Sequence, residues 1–280
     1  MTFNSEFIGL IYLDSYDWLS VRTGFPMAYY DKIAEKWHKV TGHAGGSFKK
    51  HVLNERILAK LPSLQGLNVL ELGAGNGYFL PLVIRRFSGQ MAARIVVTDV
   101  SEKMLEKAQK YFFIPDAEYL RLDVRSVFPF DNDSFDMILS TMVYNEVSTA
   151  GMKRSLDQCH RVLRNSGRFI VTVTHPAFIA NVLKRGILKK ENSGILTLPT
   201  TTGLRLPLFV RSHAEYDKLL SSHGFEFNCE DVFPTKAVLR DKPGLVKAGN
   251  VPIAVIYDCQ KSAVVQQEHC VRSLSRSEPR

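Results

Sequence analysis

Val69-Leu70-Glu71-Leu72-Gly73-Ala74-Gly75-Asn76-Gly77-Tyr78 is the stretch on which the reading turns. A short apolar run, residues 68–72, ends in a turn with glycine at 73, 75 and 77, and residues 79–87 then read as a helix. Glycine opens backbone conformations closed to other residues. A turn without side chains lets a ligand approach the backbone, and the helix N-terminus aims amide hydrogens at it. Such a turn marks a nucleotide or nucleoside site at the carboxyl end of a first strand.

Working outward, strand-like and helix-like segments alternate. Residues 94–98, 117–124, 135–140 and 168–174 read as strands. Helices fall between them: Ser101 caps one to Tyr111, with Met104, Leu105 and Ala108 on one face, and another spans 150–163. This alternation predicts an α/β fold, a doubly wound and mostly parallel sheet with helices on both faces. Upstream, Tyr30, Ile33, Ala34 and Trp37 recur at helical spacing, and Ser47 can cap a second helix to about Lys60. After Pro176 the rhythm is lost, so residues 177–211 read as an insertion over the site. A helix from Ser212 then stops at Gly224, and 225–232 and 251–259 read as the last strands. The expected organisation is an arm at 1–25, one domain at 26–260 with lid helices at 26–60, and a disordered polar tail at 261–280.

The turn discriminates between nucleotides. The dinucleotide fingerprint G-x-G-x-x-G/A, counted from Gly73, puts bulky Tyr78 at its last position; the third glycine comes one residue early, at Gly77. Glu71 stands just before the turn. A carboxylate there repels a pyrophosphate and welcomes a cationic amino-acid portion. S-adenosylmethionine carries an ammonium and a sulfonium and no phosphate, so spacing and charge favour it over a nicotinamide cofactor.

The run from Glu71 to Gly77 resembles the first motif of class I S-adenosylmethionine-dependent methyltransferases. The resemblance covers residues 26–260 and is strongest from 69 to 174. It implies a Rossmann-like seven-stranded sheet with an antiparallel last strand, and S-adenosylhomocysteine as product. Asp99, ending the second strand, matches the acid that holds the ribose. Val100 and Met104 match positions flanking the adenine. Asp123, followed by Val124, matches the acid receiving the adenine amino group. Residues 135–140 resemble the fourth-strand motif and Thr141 follows it. Residues 161–168 resemble the stretch before the fifth strand, with Ser166-Gly167 in place of the usual Pro-Gly. With Gly73, Ala74, Gly75 and Asn76, these complete the implied cofactor set. Residues 29–37 resemble the lid-helix segment of ubiquinone-biosynthesis-like methyltransferases, in which an aromatic at the position of Tyr30 or Trp37 closes over the cofactor.

The same topology brings the loops after the fourth and fifth strands to the methyl group. They hold Tyr144 and Glu146 in one, His175 and Phe178 in the other. His175 is the candidate base, because imidazole titrates near neutral pH. Tyr29, Tyr144, Glu146, Phe178 and Arg211 are candidate substrate contacts. Residues 140–143 lack the motif of enzymes that methylate base amino groups. With lid segments and no dedicated basic domain, the expected reaction is transfer to a nitrogen or oxygen of a small molecule. RNA or protein methylation, and a silent cofactor-fold protein, stand as alternatives.

Bulk properties fit a globular protein: 280 residues, 45% hydrophobic and 23% charged. The net charge of +8 keeps nucleic acid in view, yet the basic residues are scattered and not interleaved with aromatics. No apolar run reaches the roughly 20 residues of a membrane span, and a cytoplasmic location is expected. Four cysteines lie outside metal-ligand spacing, so no metal is expected. Monomer and homodimer both remain open.

Overall fold

A computed structural model describes residues 25–186, 189–190, 196–199, 205–241 and 251–262. The N-terminal arm, parts of the insertion and the tail beyond 262 lie outside the described residues.

The central sheet has seven strands: β1 (Asn68–Leu72), β2 (Arg94–Asp99), β3 (Glu118–Arg121), β4 (Phe135–Thr141), β5 (Leu163–Thr174), β9 (Phe225–Val232) and β10 (Ala254–Lys261). Their order is β3-β2-β1-β4-β5-β10-β9. Neighbours among β3, β2, β1, β4 and β5 are parallel, while β10 runs antiparallel to both β5 and β9. This is the Rossmann-like sheet with its reversed last strand. β1 lies between β2 and β4, and its Val69, Leu70 and Leu72 are fully buried. Strands covered on both faces read as unbroken apolar runs, which is why 69–72 was legible.

The helices are α1 (Phe25–Thr41), α2 (Asn54–Lys60), α3 (Phe79–Arg86), α4 (Glu102–Tyr111), α5 (Thr149–Val162), α6 (Pro176–Lys184), α7 (His213–Ser222) and α8 (Lys236–Asp241). The predicted second lid helix is less regular than expected. A short turn, Gly46–Phe48, leads through a π-helical segment, Lys49–Leu53, into α2. Capping follows the sequence: Ser101 accepts from the Met104 amide, and Ser212 with Glu215 forms a reciprocal capping box. The insertion holds α6 and a small antiparallel sheet, β6 (Lys189–Lys190), β7 (Leu196–Pro199) and β8 (Arg205–Pro207).

Three expectations need correction. β3 is shorter than residues 117–124. β5 begins at Leu163, because Leu163 pairs with Phe135 and the intervening residues bulge before Arg168 meets Met137. Lys261 is no tail residue: it ends β10, is 7% exposed, and donates to the Leu163 carbonyl at 2.6 Å and to Asp133 at 2.7 Å.

The glycine turn is held by packing as well as by hydrogen bonds. Gly73, Gly75 and Gly77 have φ of 63°, 60° and 81°. A methyl on Gly77 would stand 2.8 Å from Cα of Ala108 in α4, and one on Gly73 would overlap Val143. Gly77→Ala therefore combines a disfavoured φ with a clash. It is expected to destabilise the fold by about 1–3 kcal/mol, read as a lower midpoint in denaturant unfolding. An unchanged midpoint would refute the close approach of the glycine turn to α4.

Candidate functional site

The carboxyl ends of β1, β2 and β4 converge beneath α1. Glu71 is the penultimate residue of β1 and is 1% exposed; neither carboxylate oxygen has a hydrogen-bond partner among the described residues. Burial, reinforced by the Asp99 charge and opposed by Lys49, pushes its carboxyl up to about 8. A buried polar group without a partner is costly, so this oxygen pair is open to a donor from outside the chain.

Asp99 ends β2. One carboxylate oxygen accepts from the Gly75 amide at 2.8 Å, the other from the Ser101 amide at 2.9 Å. Burial raises it to about 6 against the pull of those amides. The Ala74 amide donates to the Thr98 carbonyl at 2.8 Å, so turn and β2 are tied side by side.

The lid lies across this end of the sheet. On α1, Asp31 accepts from the Ser101 hydroxyl at 2.6 Å, Glu35 pairs with Lys107, and His38 stacks on Tyr111 at 4.1 Å. Trp37 reaches the turn: a Cβ on Gly75 would meet its Nε1 at 3.3 Å. Tyr30, 6.1 Å from Trp37 between ring centres, donates its hydroxyl to Glu146. Tyr29 meets Tyr30 edge to face at 5.5 Å. Burial pushes the Glu146 carboxyl up to about 8; the Tyr30 hydrogen bond and Lys49 oppose this and Asp99 adds to it.

Glu146 rides on a firmly fixed loop. Met142 adopts φ 69°, a left-handed conformation uncommon for such a residue. Asn145 accepts from the Thr174 amide at 2.9 Å and donates to the Met142 carbonyl at 3.2 Å. Arg211, 1% exposed, donates to the carbonyls of Tyr144, at 2.8 Å, and Val147. The return from the insertion thus clamps the loop on both sides of Glu146.

The predicted residues divide into groups. Tyr30, Trp37, Glu71, Gly73, Ala74, Gly75, Asp99, Thr141 and Glu146 gather at this end of the sheet. Asn76 is buried with its side-chain amide on Gly42 and His38, so it fastens the lid. Asp123 is gripped by Arg125 at 2.6 Å; burial raises its carboxyl, but the Arg125 contacts outweigh that and hold it low. Val100 offers its carbonyl to Arg121, Met104 is 1% exposed, Val124 lies in one core cluster and Phe178 packs against the other.

Two substrate expectations are corrected. Tyr144 is 0% exposed and bonds Ser155 at 2.8 Å, inside the core. Arg211 spends its guanidinium on loop carbonyls. Neither side chain is presented to a substrate.

His175 also stands differently. Its Nδ1 accepts from the Ala177 amide at 2.9 Å, capping α6, and its Nε2 turns to Asp231 at 3.2 Å, with His213 beyond. Burial holds its pKa below the usual range. None of these contacts reaches Glu71, Asp99 or Glu146. His175, His213 and Asp231 are near enough to share an ion. A ligating histidine, however, donates from its other nitrogen, whereas Nδ1 here accepts. The N-termini of α6 and α7 also face the cluster, which disfavours a cation.

Sequence reasoning missed Lys49, at the head of the π segment. Its ammonium lies 5.4 Å from the Tyr78 ring centre and feels Glu71, Glu146 and Asp99, while burial pushes its pKa down. Among the described residues no helix is long and apolar enough to cross a membrane.

Residues 69–167 match the family of methyltransferase domains. A demethylmenaquinone methyltransferase of Thermotoga maritima is 30% identical over 150 residues, 52% of this chain and 59% of that protein. A malonyl-[acyl-carrier protein] O-methyltransferase of Methylococcus capsulatus is 27% identical over 143 residues, 50% of each chain. The chain thus spans about half the length of these curated relatives. The crystal structure of an S-adenosylmethionine dependent methyltransferase from Mesorhizobium loti superimposes with a TM-score of 0.59 at 22% identity, covering 78% of this chain and 100% of that one.

Two outcomes test the site as built. Arg211→Ala orphans buried carbonyls and is expected to cost about 2–3 kcal/mol in denaturant unfolding; no loss would mean that the clamp is idle. A cation placed on Glu71 draws its pKa down from about 8. Binding of S-adenosylhomocysteine at pH 7 is therefore expected to release more protons from the wild type than from Glu71→Gln, and affinity is expected to rise from pH 6 toward 8. Calorimetry in buffers of different ionisation heat measures the release. Equal proton counts would contradict the partnerless state of Glu71.

Proposed function

We propose that this chain, which carries a class I S-adenosylmethionine-dependent methyltransferase domain, moves the methyl group to a nitrogen or oxygen of a small molecule. The observation that carries this reading is the buried Glu71 carboxylate at the mouth of the glycine turn, without a hydrogen-bond partner among the described residues. It fits a cofactor whose head is an ammonium and does not fit a pyrophosphate. When bound, S-adenosylmethionine supplies a methyl group already activated by its sulfonium. Asp99 is the ribose acceptor in this reading, and Glu71 the acceptor for the ammonium. Trp37 and Tyr30 cover the site from α1 and exclude water.

The remaining work is alignment and proton removal. Glu146 is the group we assign to the proton. Its carboxylate sits on the loop after β4, buried, oriented by Tyr30 and poised near pH 8. A base matched to the working pH removes the proton that an amine or hydroxyl loses on methylation. His175, the base expected from sequence, is committed to the α6 cap. The lid supports a small acceptor, because α1 packs on α4 across this end of the sheet. Likeness to demethylmenaquinone methyltransferases agrees with an acceptor of that size. The net charge of +8 makes RNA methylation the second reading.

Incubation with methyl-labelled S-adenosylmethionine and separate low-mass, RNA and protein fractions of a cell extract tests the function. Label in the low-mass fraction is expected. Label confined to RNA or protein would overturn the small-molecule reading, and none in any fraction would leave a silent fold. With an acceptor in hand, Glu146→Gln is expected to lower kcat about 10²–10⁴-fold, the usual contribution of a general base. Unchanged kcat would remove Glu146 from the reaction.

A further inference from the structure

His175 stands outside the reaction assigned above, yet it is only 8% exposed and is held on two sides. It follows β5 and precedes α6, at the entry of the insertion, while His213 opens α7, at the exit. Among the described residues, three elements bring titratable groups to the ring. From β9, Asp231 faces Nε2 at 3.2 Å, and Cys229 lies near Asp231. From α7, the His213 ring lies 5.8 Å away, its Nε2 is 3.6 Å from the same Asp231 oxygen, and its Nδ1 is 3.2 Å from Asp217. From β10, Tyr257 donates to Asp217 at 3.1 Å. One carboxylate thus meets the histidines at both ends of the insertion.

The α6 cap depends on which nitrogen of His175 holds the proton. Pro176, first in α6, has no amide hydrogen, so Ala177 presents the first free donor of the helix. His175 Nδ1 accepts from it at 2.9 Å. A neutral imidazole has one lone pair and one N–H. With the lone pair taken at Nδ1, the proton sits on Nε2 and faces Asp231, which thereby selects the capping tautomer. A second proton can go only to Nδ1. There it would meet the Ala177 N–H and put positive charge at a helix N-terminus, where the macrodipole opposes it. His213 is placed differently: a proton on it strengthens its attraction to Asp217 and Asp231.

We propose that His175 is an acid-sensitive cap on the entry to the insertion: neutral and oriented by Asp231, it fixes the first turn of α6, and protonation releases that turn. The exit stays pinned by the Ser212–Glu215 capping box of α7. The direction of titration agrees. Burial holds the imidazole below its usual range; Asp231 opposes this and His213 adds to it. The folded chain therefore takes up this proton less readily than the unfolded chain. The cap contributes fully above the unfolded value of about 6.5, and its contribution is lost as the pH falls through the lower, folded value. α6 carries Phe178, which packs against the cluster that contains Ala74 of the glycine turn, so release of its first turn loosens that packing. The device needs neither cofactor nor acceptor to operate.

Hydrogen–deuterium exchange of the full chain on either side of the imidazole range, at about pH 5 and about pH 8, tests this, with protection corrected for the intrinsic exchange rate. In acid, the start of α6 in the wild type is expected to lose protection about 2- to 30-fold relative to α4, the range for a lost N-cap. His175→Asn, a cap that does not titrate, is expected to keep its protection at both pH values. His175→Ala is expected to show the acid level at both. Asp231→Asn, whose amide can donate to Nε2 and drive the proton to Nδ1, is expected to lose protection already at the higher pH. Equal wild-type protection at the two pH values would overturn the proposal. So would full protection in Asp231→Asn, or an acid loss in His175→Asn as large as in the wild type, because the titrating group would then lie elsewhere.

Discussion

Everything at the mouth of the sheet depends on the cost of burying Glu71. The carboxylate lies near the end of β1, with Leu72 between it and the glycine turn, and no described residue donates a hydrogen bond to it. Asp99 adds like charge both to Glu71 and to Glu146. Such an arrangement lowers stability unless something relieves it. Proton uptake relieves it in part, which is why Glu71 and Glu146 titrate near 8. A cationic ligand relieves it more fully, and the fold exchanges stability for affinity at this point.

The surrounding structure keeps that arrangement from collapsing. Gly73 and Gly77 admit Val143 and Ala108 without a gap, so the turn cannot relax. Asn76 fastens the lid to the turn, and Asp31 fastens it to α4. Arg211 and Asn145 hold the loop after β4, including the left-handed Met142. The insertion therefore serves the site indirectly. The segment returning after β8 brings Arg211 to loop carbonyls, and the loop presents Glu146 to Tyr30. A clamp of this kind keeps a general base in one place.

Much of this was legible in the sequence where the cause is local. The glycine turn, the Ser101 and Ser212 caps and the central strands are fixed by residues within a few positions of one another. Glu71 and Asp99 were legible because charge at a strand end has few structural uses. Tyr144 and Arg211 were misread for the opposite reason. Both lie in loops that approach the site, and only the three-dimensional packing turns their side chains inward. His175 looked like a base because of its ring, yet the α6 backbone amide claims one nitrogen. Lys49 was missed because nothing in the run Lys49-Lys50 distinguishes the lysine facing the acids from the one facing solvent. Its one sequence signal is the Gly45-Gly46 pair just before it.

The central claim is that this turn and its acids accept S-adenosylmethionine and refuse a dinucleotide. Calorimetric titration of the purified chain with S-adenosylhomocysteine, and with NAD in parallel, tests it most directly. The account predicts micromolar binding of the first and no detectable binding of the second. Binding of NAD, or comparable heats from both, would contradict the reading of Glu71 as the acceptor of a cation.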